Sequence, residues 1–193
     1  MSPPPLEGNV AILVIDMLND YLDHRGKDFC HSCREVIPNI SKLLAFGRER
    51  GWRVIYVNTS LTSPSSPMAA KWGFHPSKGS WEAEVVPELK PQGDDVLVEK
   101  TEYDGFFKTD LEQQLRKLGV NLVIPTGIHT HVCVLFTACS AFERGFEVFA
   151  MEDAMTTGTR ANHENALRFY RTHLGKLMTV ERLIRGTRKL DIP

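Results

Sequence analysis

Six short apolar runs constrain this chain more than any other feature. They fall at Val10–Ile15, Arg53–Asn58, 95–99, 121–126, Phe146–Met151 and 176–180, and most are nearly continuous in Val, Ile, Leu and Phe. A strand with one face in water alternates apolar and polar residues, whereas a strand covered on both faces does not. Helical punctuation lies between the runs. Pro38 opens and Gly51 closes a stretch with Ile40, Leu43, Leu44 and Phe46 on one side. Thr109-Asp110-Leu111-Glu112 has the form of a capping box ahead of Leu115 and Leu118. Two further helices are expected from about Cys133 to Arg144 and from about Arg160 to His173. The expected fold class is α/β, a Rossmann-like three-layer sandwich with a six-stranded, mainly parallel sheet flanked by helices.

The 193 residues suit one domain, read as residues 10–193 behind a Pro-rich tail of residues 1–9. The segment 59–94 is rich in Ser, Pro and Gly yet carries Trp72, Phe74, His75 and Trp81. A stretch of that length without regular structure is usually functional. Within it, His75 reads as a solvated loop histidine. The basic run Arg182 to Lys189 reads as a solvated end. A formal net charge of -1 gives no electrostatic case for nucleic acid or an anionic membrane. No apolar run approaches membrane-spanning length and no leader-like start is visible, so a cytoplasmic location is expected.

The four cysteines do not read as a disulfide framework. Cys30-His31-Ser32-Cys33 is formally a C-x-x-C, but it sits in a polar loop with no second ligand pair. Cys139 reads as a buried small hydrophobe. Cys133 differs. It follows the fourth apolar run and starts a helix, where a helix N-terminus lowers a thiol pKa and the strand–helix turn exposes the sulfur. Asp16 follows the first run and Lys100 the third. Ligands of open parallel sheets bind beyond the C-terminal strand ends, where all three residues lie. Singly they read as a cap, a surface lysine and a structural cysteine. Together an acid, an amine and a thiol form a catalytic constellation.

Three segments carry a resemblance: Ala11-Ile12-Leu13-Val14-Ile15-Asp16-Met17-Leu18-Asn19-Asp20-Tyr21, the segment from Lys100 to Leu111, and Thr126-Gly127-Ile128-His129-Thr130-His131-Val132-Cys133-Val134. In order and spacing the chain resembles the isochorismatase-like cysteine hydrolases, on the N-carbamoylsarcosine and ureidoacrylate amidohydrolase side of that group. The resemblance implies a catalytic triad of Asp16, Lys100 and Cys133. It also implies a non-proline cis peptide at Ile128–His129, with the amides of His129 and Cys133 forming an oxyanion hole. Tyr21, Trp72, Phe106 and His129 are the candidate substrate contacts, and His131 beside them is unusual. Asp153 reads as a structural brace after the fifth strand.

The chain departs from the pattern in places. Leu18 and Tyr21 stand where many relatives have Gln and Phe. Nicotinamidases carry an Asp-x-His metal motif after the second strand, and here Asn58-Thr59-Ser60-Leu61-Thr62 replaces it, so neither a metal nor another cofactor is expected. The implied partners are a small amide, ureide or carbamoyl substrate and further copies of the chain, as a homodimer or higher homo-oligomer. The implied chemistry is hydrolysis through a thioester, with Asp16 moving the proton and Lys100 as electrostatic partner. Two other functions remain open: vinyl ether hydrolysis of the isochorismatase type, and a non-catalytic Rossmann-like binding module. The latter lacks the G-x-G-x-x-G of a dinucleotide site.

Overall fold

The computed structural model describes residues 9–190; most of the Pro-rich tail lies outside the described residues. The elements run β1 (Val10–Ile15), α1 (Asn19–Leu22), α2 (Ile37–Glu49), β2 (Arg53–Thr59), α3 (Pro67–Trp72), β3 (Val96–Lys100), α4 (Leu111–Lys117), β4 (Leu122–Ile128), α5 (Cys133–Glu143), β5 (Glu147–Met151), β6 (Met155–Thr156), α6 (Arg160–Phe169), β7 (Gly175–Met178) and α7 (Val180–Leu190). The sheet has the order β3-β2-β1-β4-β5-β7, every pair parallel, and the short β6 pairs with β4. The sheet therefore has seven strands where six were expected. The added strand is two residues long, too short to leave a hydrophobic period.

Alternation along β1 builds both apolar layers. Val10, Ile12 and Val14 face α1, α2 and α7, while Ala11, Leu13 and Ile15 face α4 and α5. All six β1 residues are buried, which is why the run reads as continuous. The chain leaves β1 to one side for β2 and β3, then returns to its other side for β4. The site thus lies at the reversal of strand order, the usual ligand position in open parallel sheets. Gly127, at the end of β4, has φ +102, and a Cβ there would lie 2.1 Å from the Ile15 carbonyl oxygen. Only glycine lets β4 approach β1 this closely.

Several local expectations change. The run from Arg182 forms α7, with Leu183 and Ile184 buried against the core. These apolar residues give the helix an inner face, and Asp153 Oδ1 accepts a hydrogen bond from Val180 N at 2.8 Å at its start. The expected capping box does not form. Thr109 Oγ1 accepts from Leu111 N at 3.2 Å and donates to Gly105 O at 2.6 Å, while Glu112 pairs with Arg116 and Arg144. Cys30 and Cys33 are joined in a disulfide, although the four cysteines did not read as a disulfide framework. The helix after Arg160 ends at Phe169 and widens into a π-type turn over Tyr170–Leu174. No described helix is long and apolar enough to cross a membrane.

The segment 59–94 is tied down at several points. Ser66 Oγ caps α3 by accepting from Ala69 N at 3.1 Å. The amides of Asn19 and Val86 donate to Glu84 O and Met17 O, which stitches the segment onto the loop after β1.

Candidate active site

Asp16 is the first residue past β1 and holds φ +54, a left-handed conformation that Asp tolerates better than bulkier residues. That bend turns its carboxylate across the strand ends. Asp16 Oδ1 accepts from Thr59 N at 2.7 Å, and Oδ2 lies 2.8 Å from Lys100 Nζ. Lys100 closes β3 in register with Thr59 of β2. Its side chain spans β2 to reach Asp16, donating on the way to Thr59 Oγ1 at 2.7 Å and Glu102 O at 3.1 Å. Cys133 Sγ is 3.6 Å from the same Nζ. Asp16, Lys100 and Cys133 thus share one cluster and are 2%, 1% and 6% exposed. Burial this deep is tolerable for two opposite charges only because they pair and are hydrogen-bonded.

The thiol does not have the environment expected from the strand–helix turn. Cys133 begins α5, where the helix dipole favours a thiolate. Burial outweighs this and pushes the thiol up to about 12; Lys100 pulls it down and Asp16, to which it is hydrogen-bonded, pushes it up. Burial also works against the Lys100 ammonium, but Asp16 and Cys133 more than offset it and leave its pKa raised. The resting cluster is therefore ammonium, carboxylate and neutral thiol. A thiolate would add an uncompensated negative charge in a buried place.

Asp16 and Cys133 open onto a cavity of about 370 Å³. Tyr21, Met68, Trp72, Tyr103, Ile128 and Val132 supply much of its apolar and aromatic wall. Tyr21 is held as a neutral phenol by burial first, then by Asp16 and Cys133. The peptide between Ile128 and His129 is cis. The His129 ring packs edge-on to Tyr21 with centroids 6.3 Å apart, and burial holds its imidazole below the ordinary range. His131 also lines the cavity and is shifted down by burial. Trp72 is half exposed and donates from Nε1 to Tyr103 Oη at 2.6 Å. Phe106, expected in the pocket wall, lies outside the lining. Its ring packs in the core against Phe146, centroids 6.2 Å apart, beneath the Arg144 guanidinium.

The sequence reading missed part of the wall. His75 is not a solvated loop residue: its Nδ1 lies 2.7 Å from Oδ2 of the fully buried Asp20. Asp20 Oδ1 also accepts from Lys27 N at 2.9 Å. Asp28 approaches the same imidazole at 3.9 Å. Among the described residues, Asp20, Asp28 and His75 are the one set whose ligand atoms converge enough to hold a metal ion, within 4.8 Å of one another. Asp20 lies in α1, Asp28 in the loop after it and His75 in the segment after α3, so none of the three stands at 58–62, where nicotinamidases carry their motif. The stretch Thr157–Thr159 and Asn162, after β6, closes another side. Its only sequence signal was a run of small polar residues after the fifth strand.

The parallel sheet thus gathers an acid, an ammonium and a thiol at its strand ends, and comparison with known proteins gives the family. The model of the isochorismatase domain matches residues 10–182, so the chain belongs to the isochorismatase family. It is 33% identical over 182 residues to the uncharacterised isochorismatase family protein YwoC of Bacillus subtilis strain 168, covering 90% of this chain and 92% of that one. It is 29% identical to the ureidoacrylate amidohydrolase RutB of Variovorax paradoxus strain S110, with 95% and 84% of the two chains covered. The crystal structure of N-carbamoylsarcosine amidase from Thermoplasma acidophilum superposes with TM-score 0.82 at 29% identity, over 90% of this chain and 97% of that one. The family is one of hydrolases, and of these relatives RutB is named an amidohydrolase and the Thermoplasma protein an amidase.

Proposed function

We propose that the protein hydrolyses a small amide, ureide or carbamoyl substrate through a thioester on Cys133. The observation that carries this reading is the single ammonium of Lys100, 2.8 Å from Asp16 Oδ2 and 3.6 Å from Cys133 Sγ, at the edge of a cavity sized for a small molecule. An acid hydrogen-bonded to a thiol, with a fixed positive charge beside both, is the minimum set for moving one proton off sulfur and onto a leaving nitrogen.

The chemistry follows from the resting state. The neutral thiol gives its proton to Asp16 as sulfur attacks the carbonyl carbon. Lys100 steadies the negative charge that passes from carboxylate to sulfur. Cys133 is the first residue of α5, so its amide has no acceptor within the helix, which supports a role for it beside the amide of His129 in holding the developing oxyanion. Asp16 then passes the proton to the departing amine or ammonia. It next accepts a proton from the water that cleaves the thioester and returns it to the departing Cys133 sulfur, which restores the resting cluster. The amidohydrolases among the relatives support this assignment.

The family's isochorismatase members sustain a second reading, vinyl ether cleavage driven by proton donation from Asp16 without the thiol. One experiment separates the two. Ammonia release is measured across a panel of primary amides, ureides and carbamoyl compounds, with a vinyl ether alongside, for wild type and Cys133→Ala. Release by wild type alone is the expected result. Vinyl ether turnover that survives Cys133→Ala would replace the amidohydrolase reading.

A further inference from the structure

The charges around the cavity do not balance. Asp16 is neutralised by Lys100, whose ammonium is fully buried and already engaged with Asp16, Thr59 and Glu102. The lining also carries Asp28, with its side chain 46% exposed, and His75, which pairs with the buried Asp20 behind it. In either protonation state of His75, two carboxylates and one imidazole leave that corner negative. Among the described residues that line the cavity there is no Lys or Arg. Lys71, 5.3 Å from the centre of the Trp72 ring, does not line it. The imidazoles of His129 and His131 are held below their ordinary range by burial and add no lasting positive charge at neutral pH. The field of Asp28 reaches both Tyr21 and His129, so it faces the same space as the reacting cluster.

We propose that this site selects uncharged or cationic amides against carboxylate-bearing ones, and that Asp28 is the residue that sets the discrimination. The inference rests on the amidohydrolase reading for its chemistry but not for its binding order. A substrate carboxylate entering the cavity loses water and meets a fixed carboxylate with no cation to replace the lost solvation. A substrate ammonium placed toward Asp28 gains a charge-assisted hydrogen bond. The neutral body of the substrate packs on Met68, Trp72 and Val132, so the favoured molecule is a compact amide with a flat or apolar body.

Three probes that differ only in charge test this: benzamide, 3-(aminomethyl)benzamide and 3-carbamoylbenzoate. Binding to full-length Cys133→Ala is measured by calorimetry, and ammonia release by wild type is measured in parallel. The carboxylate probe is expected to bind at least about tenfold more weakly than benzamide, and the ammonium probe at least as tightly as benzamide. Both gaps shrink at high salt, because the discrimination is electrostatic. The near-isosteric Asp28→Asn, added to Cys133→Ala, closes most of the gap between carboxylate and neutral probe. A carboxylate probe that binds as well as benzamide overturns the proposal. So does a gap unchanged in Asp28→Asn, or failure of all three to bind. If the binding order holds but wild type releases no ammonia from any probe, the charge selection stands and the amidohydrolase reading falls.

Discussion

Lys100 Nζ stands 2.8 Å from Asp16 Oδ2, and both side chains are buried. Each charge is the reason the other can be buried. Lys100→Met should strand the Asp16 carboxylate, destabilising the fold by about 3–5 kcal/mol in urea denaturation and reducing ammonia release by at least about 100-fold. Adding Asp16→Asn, which removes the orphaned charge and tolerates the left-handed backbone, should restore part of the stability and none of the activity. Equal stability of the single and double variants would show that the pair is not electrostatically coupled.

The neutral resting thiol makes a kinetic prediction. Alkylation of Cys133 by iodoacetamide should rise steadily with pH and show no plateau between pH 6 and 9, because burial pushes the thiol up to about 12. Mapping the label to Cys133 by peptide mass spectrometry across that range checks it. A plateau near neutral pH would mean a preformed thiolate.

The same shift bears on stability. The folded thiol titrates near 12 against an unfolded value near 9. Above pH 9 the unfolded chain therefore loses this proton first, and folding weakens progressively as pH rises toward 12. Lys100 adds to the loss at the upper end, since its folded pKa is also raised. Thermal melts between pH 8 and 10.5 should fall more steeply for wild type than for Cys133→Ala. Parallel curves would remove Cys133 from the account.

Gly127 and Gly145 offer a matched pair of backbone tests. Both have positive φ, but a Cβ at Gly127 meets the Ile15 carbonyl oxygen at 2.1 Å whereas nothing lies within 4 Å at Gly145. Gly145→Ala should cost about 1 kcal/mol, the strain of the conformation alone. Gly127→Ala should cost well beyond that, or prevent folding, because β4 must move off β1. Similar melting temperatures for the two variants would contradict the close approach.

How far the sequence reveals this depends on what each residue answers to. The strands were readable because burial on both faces leaves an unbroken apolar run, as in Val10–Ile15. Asp16, Lys100 and Cys133 were readable as a set because parallel topology sends all strand ends to one side, and the structure brings those three together. What hid were features set by tertiary contact. The His75–Asp20 pair joins residues 55 apart in sequence. Phe106 reads equally as wall or core until Phe146 is placed against it. Burial of the Cys133 sulfur depends on packing that the helix start alone does not report, and so the direction of its pKa shift was missed.

The most direct test of the central claim is rapid-quench intact-mass spectrometry on wild type mixed with the amide it turns over fastest. The account predicts an adduct with the mass of the substrate's acyl group, localised to the peptide that carries Cys133, lost on treatment with hydroxylamine and absent from Cys133→Ala, which releases no ammonia. Ammonia release by Cys133→Ala at the wild-type rate, with no adduct in either protein, would contradict it.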